Sequence, residues 1–131
     1  MNPAATNLAA LPQPEEEEMP SASVIGQLKA QLPGRDLHRI EMKAGENVFV
    51  FVMTGPTRTE WKKYRDECTK GAGDFEKLEM AIERAAMAQI RWPAREEVKD
   101  IFELNPGLIQ HFAENLNKLA GAEVESTAKK L

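Results

Sequence analysis

The chain has 131 residues, of which 42% are hydrophobic and 29% charged, with a net charge of −4; this is the balance of an ordinary globular domain, not of a disordered or membrane-spanning chain. Its longest uncharged apolar run, Val48 to Met53, falls far short of the roughly 20 residues a spanning helix needs, and Glu15 to Glu18 stand where a signal peptide would be apolar. One cysteine, Cys68, excludes an internal disulfide and a Cys-based zinc site.

The acidic tetrad also accounts for the whole charge imbalance. Residues 1–23 contain no Lys or Arg, so 24–131 balances at 17 of each sign. Interspersed charge of that kind carries no electrostatic footprint for nucleic acid and no polybasic patch for a membrane. Residues 1–23 also hold four of the eight prolines and no apolar period, which predicts a disordered acidic leader.

In chain order, Val24–Leu32 reads as a short helix capped by Ser23 and stopped by Pro33-Gly34. Leu37–Met42 and Val48–Met53 read as two strands of a hairpin spanning 36–53, with Lys43–Asn47 as the turn and Gly45 at its positive-φ position. Thr57-Arg58-Thr59-Glu60 fits a capping box, so a helix runs from there to about Lys70, burying Trp61 and Tyr64, with Cys68 a further candidate. Gly71-Ala72-Gly73 breaks it. Asp74 caps a second helix whose apolar positions Phe75, Leu78, Ile82, Ala85, Ala86 and Ile90 keep a 3.6 period as far as Pro93. A third covers Ala94–Leu104, with Glu96 and Glu97 near its positive end. Asn105-Pro106 predicts the cap and first residue of a last helix carrying Leu108, Ile109, Phe112, Leu116 and Leu119 and closed by Gly121. The expected fold is α+β, mainly α: a β-hairpin near the N-terminal side, packed on about four helices, in one domain over 24–121. A polar tail, 122–131, completes the chain.

Nothing in this inventory assembles a catalytic centre, and no enzyme, cofactor or metal is expected. His111 with Glu114 three residues on, and His38 beside Arg39, are too sparse for a metal site. Cys68 lies near a helix C-terminus, where the helix dipole disfavours a thiolate. Gly71-Ala72-Gly73 has no Lys-Ser/Thr to make a phosphate loop. What stands out is binding surface. In Val48–Met53 the side chains of Phe49, Phe51 and Met53 point one way and those of Val48, Val50 and Val52 the other, so both faces are apolar. Either the helices and the N-terminal segment cover both faces, or one face is left for a strand or helix of another protein or another copy. Trp61 and Trp92 read most simply as core or hinge-packing residues, and aromatics at exposed edges also anchor partners. The candidate partner-binding set is therefore Phe49, Val50, Phe51, Met53, Trp61 and Trp92.

The order of these motifs resembles one family. The run Val48-Phe49-Val50-Phe51-Val52-Met53-Thr54-Gly55-Pro56-Thr57-Arg58-Thr59-Glu60-Trp61 is similar to the apolar strand followed by Pro-Ser/Thr-x-x-Glu-aromatic in tailed-phage tail assembly chaperones. The helix ending Ala88-Gln89-Ile90-Arg91-Trp92-Pro93, the acidic helix with Glu96 and Glu97, and Asn105-Pro106-Gly107-Leu108 keep the same layout. The resemblance covers about residues 36–121. It departs in the proline- and glutamate-rich leader and in lacking a cysteine just before Trp92. It implies a mainly helical protein of the host cytoplasm, absent from the mature virion, that binds the tape-measure protein before the tail tube polymerises. The major tail tube protein is a further implied partner and a homo-oligomer a possible form; no catalysis is implied. The residues alone also accommodate a minor structural or interaction protein of a phage particle, or a small bacterial adaptor module.

Overall fold

The computed structural model describes residues 19–122 and 126–130. The chain divides into two compact units, residues 1–35 and 36–131. Most of the expected leader, residues 1–18, lies outside the described residues.

In the first unit, α1 spans Ala22–Gln31. Ser21, two residues before the expected Ser23, is its cap: its Oγ accepts from the Val24 N–H at 3.3 Å. The helix therefore begins inside the segment assigned to the leader.

The second unit opens with β1 (Leu37–Ala44) and β2 (Asn47–Thr54), an antiparallel hairpin whose ladder runs from Leu37–Thr54 to Ala44–Asn47. The connection is two residues long, Gly45-Glu46, and Gly45 takes the positive φ of 62° that a tight hairpin turn demands. The strands are thus longer, and the turn shorter, than the polar run Lys43–Asn47 suggested.

Helix α2 (Arg58–Lys70) starts with the expected capping box. The Thr57 Oγ1 accepts from the Glu60 N–H at 3.2 Å and Glu60 Oε1 accepts from the Thr57 N–H at 2.9 Å. Asp74 caps α3 (Phe75–Gln89), its Oδ1 accepting from the Lys77 N–H at 3.2 Å. Here the chain departs from the helical period: Ile90–Trp92 is a third strand, β3, antiparallel to β2. It pairs Trp92 with Val52 and Ile90 with Met53 across an irregularity in register, so the hairpin is two-thirds of a three-stranded sheet in the order β1-β2-β3.

Helix α4 (Arg95–Leu104) comes next. Asn105 does not cap the helix after it as expected; its Nδ2 donates back to the Ile101 carbonyl at 3.0 Å and closes α4. Pro106–His111 is a 3₁₀ segment, and α5 covers only Phe112–Leu119.

The fold is α+β and mainly α, with the hairpin preceding four α-helices in this unit among the described residues. The core joins Met42, Phe51 and Met53 of the sheet to Tyr64, Ala86, Val98, Phe102, Phe112 and Leu116 of the helices, with Leu108 and Ile109 from the 3₁₀ segment. At its centre three phenyl rings meet: Phe51 to Phe112 at 5.2 Å and Phe102 to Phe112 at 5.5 Å, both edge-on, and Phe51 to Phe102 at 6.4 Å. Phe75, expected on the inner stripe of α3, is 65% exposed at its first turn.

Candidate functional site

Cross-strand register decides which side of the sheet each candidate occupies. Residues paired across a ladder share a face, so Ile40 with Phe51 and Met42 with Phe49 lie on one face, while Arg39 with Val52, Glu41 with Val50 and Lys43 with Val48 lie on the other. The first face carries the core. Phe51 and Met53 have no accessible surface and belong to that core, which corrects their assignment to a partner-binding surface. They are buried because four helices and the 3₁₀ segment, not a partner, close over this side.

Phe49 is half-buried on the same face, near the turn, and packs against the core edge. Val50 is half-buried on the opposite face. There the strand remains accessible towards the turn, with Val48 53% exposed. Trp92, also half-buried, is the cross-strand partner of Val52 on that face. Pairing with β3 reaches only Val52 and Met53, so over Asn47–Val50 the second edge of β2 has no strand partner among the described residues.

Trp61 lies apart from this surface, on α2. Its ring stands 5.6 Å from Tyr64 and under the Arg65 guanidinium at 5.7 Å. Trp61 and Tyr64 form one wall of a cavity of about 170 Å³ between α2 and α3, opposite Ala85 and Ala88 and above Leu116 of α5. A cavity of roughly 150 Å³ admits one benzene ring, so this one has the size of an apolar side chain. The six candidates therefore occupy three places: core, sheet and helix groove.

One end of the groove holds a hydrogen-bonded chain that sequence patterns did not reveal. Thr54 Oγ1 donates to Gln89 Oε1 at 2.8 Å and accepts from Arg91 Nε at 3.2 Å. Gln89 Nε2 in turn donates to Glu60 Oε1 at 2.9 Å, the oxygen that also receives the Thr57 N–H. Thr54 and Gln89 are buried. The chain ties the sheet to the first turn of α2 and the end of α3, and no buried side-chain N or O among the described residues lacks a partner. Its only sequence signal was the capping-box glutamate. Chemically it is a clamp: the buried Thr54 hydroxyl and Gln89 amide hydrogen-bond within it.

Burial beside the Cys68 thiol pushes the Tyr64 hydroxyl up to about 12. The unfolded chain therefore releases this proton near pH 10, while the folded chain keeps it. Stability from Tyr64 is fully present below pH 10 and is lost as the pH rises towards 12. Tyr64 is the single tyrosine of the chain. Its near-ultraviolet tyrosinate absorbance is expected to titrate near pH 12 in the folded protein and near 10 in urea. One common midpoint would show that the side chain is solvated.

Among the described residues, no group of three or more His, Cys, Asp or Glu side chains is placed to hold a metal ion, and no helix is long and apolar enough to cross a membrane.

No family model matches the chain, and no curated protein matches it. Among solved structures, the chain is similar to an uncharacterised protein of Bacillus stearothermophilus. The TM-score is 0.62 at 23% identity, over 80% of this chain and 99% of that one. At that identity the likeness shows a shared fold.

Proposed function

We propose that this chain is a tail assembly chaperone of a tailed phage, which binds the tape-measure protein in the host cytoplasm and keeps it soluble until the tail tube polymerises. It acts without catalysis and leaves before the particle is complete. The observation that carries the reading is the accessible half of β2. Val48 and Val50 offer apolar side chains on one face, beside a strand edge with no strand partner among the described residues. That is a surface a client strand or amphipathic helix would cover. The motifs that resemble the family flank it directly, from Val48 through the capping box of α2 to Trp92-Pro93.

Co-expression with the candidate tape-measure protein, read as the fraction of client recovered soluble and bound, tests this. Val48→Lys and Val50→Lys are expected to keep the native circular dichroism spectrum, because neither side chain is in the core, and to lose client capture. Phe51→Lys, which buries a charge in the core, is expected to unfold the protein and serves as the contrast. If both valine variants fold and still hold the client soluble, β2 is not the capture surface. Detection of the protein in purified virions at structural stoichiometry would favour a particle component instead.

A further inference from the structure

A second surface, separate from β2, lies on the solvent side of α3. A cleft of about 390 Å³ runs between α3 and the start of α4, with Lys63 of α2 at its rim. Its floor is apolar. Met80, 54% exposed, recurs seven and eight residues later as Met87 and Ala88, which keeps the three on one side of the helix. Methionine on an open surface is an adaptable contact for apolar groups and is over-used where partners dock.

The walls are cationic. Arg84 from α3 and Arg95 and Lys99 from α4 join Lys63, against one carboxylate, Glu83. Four cations and one carboxylate thus line this cleft, in a chain whose net charge is −4, and two of the cations are paired with carboxylates beside it. Arg84 is held by Glu67 at 3.0 Å and Lys99 by Glu96 at 3.6 Å. Lys63 and Arg95 form no ion pair with any described residue. An apolar floor beside two cations that have no ion pair among the described residues matches a helix with apolar groups on one face and carboxylates along its flanks. A phosphodiester backbone would answer the cations but leave the methionines bare.

We propose that the cleft between α3 and α4 docks an amphipathic helix with acidic flanks, supplied by a partner protein, with Lys63 and Arg95 receiving its carboxylates. This goes beyond capture at β2 and does not depend on it. The probes are synthetic: an amphipathic helix of Leu and Met flanked by Glu, the same helix flanked by Lys, and a single-stranded oligonucleotide, each titrated against the full chain by fluorescence anisotropy. The Glu-flanked helix is expected to bind, more weakly as salt rises. The double variant Lys63→Glu/Arg95→Glu is expected to weaken it about tenfold or more. Both side chains are exposed, so the thermal midpoint should stay within a degree or two, and Met80→Lys should weaken binding while leaving the fold intact. Equal affinity for the two helices, binding of the Glu-flanked helix indifferent to the double variant, or charge-dependent binding of the oligonucleotide alone would each overturn the proposal.

Discussion

Replacing Phe112 with alanine is expected to remove about 3–5 kcal/mol of folding stability. Phe112 has no accessible surface and sits edge-on to both Phe51 and Phe102. The variant loses the transfer energy of a phenyl ring and leaves a cavity that three different elements border. It also breaks two ring pairs, each worth about 0.5–1.5 kcal/mol beyond area burial. Small domains have about 5–15 kcal/mol in total, so a large part of the margin rests on one side chain near the start of a helix only eight residues long. Urea denaturation monitored by circular dichroism measures the change. A loss below about 1 kcal/mol would mean that α5 is not docked where the ring contacts place it.

Gly55→Ala is expected to cost about 1–3 kcal/mol through overpacking. The reason is space, since the backbone here is not in the left-handed region. A methyl group on Gly55 would stand 2.5 Å from the Leu119 carbonyl oxygen and 3.3 Å from its carbon. Backbone cannot swing aside as a side chain can, so the β2–α2 connection and the end of α5 must separate. Elsewhere the same substitution gains about 0.4–1 kcal/mol by restricting the unfolded chain. Gly26, inside α1 with nothing within 4 Å of its added methyl, supplies that contrast. Thermal melts of the two variants should therefore move in opposite directions. A Gly55 variant as stable as the parent would show that the close approach relaxes freely.

Local chemistry made much of this architecture legible. Thr57 and Glu60 announce a helix start through two reciprocal hydrogen bonds that depend on four consecutive residues alone. The alternation in Val48–Met53 likewise marks a strand whatever surrounds it. Long-range pairing made the rest illegible. Ile90 keeps the helical period of α3, and only β2 turns Ile90–Trp92 into a strand. Asn105 before Pro106 has the look of a cap for the last helix, yet its amide found the Ile101 carbonyl behind it. The candidate site suffered most, because alternation separates Phe51 from Val50 without saying which of them meets the helices. Of the clamp of Thr54, Gln89, Arg91 and Glu60, only the capping-box glutamate shows in one dimension.

The late arrival of β3 has a consequence during synthesis. Every β1–β2 pair forms across a two-residue turn, and such a hairpin closes within microseconds once both strands exist. Val52 and its β3 partner Trp92, by contrast, are 40 residues apart along the chain. At about 5–20 residues per second, the ribosome needs roughly 2–8 s to make that interval. For those seconds the most β-prone run of the protein is finished while the helices that bury Phe51 and Met53 are not. The charged residues of β1, Arg39, Glu41 and Lys43, are already in place beside it. Lysine and other charges along a strand deter edge-to-edge association, so they guard the edge of the nascent hairpin until the helices cover Phe51 and Met53.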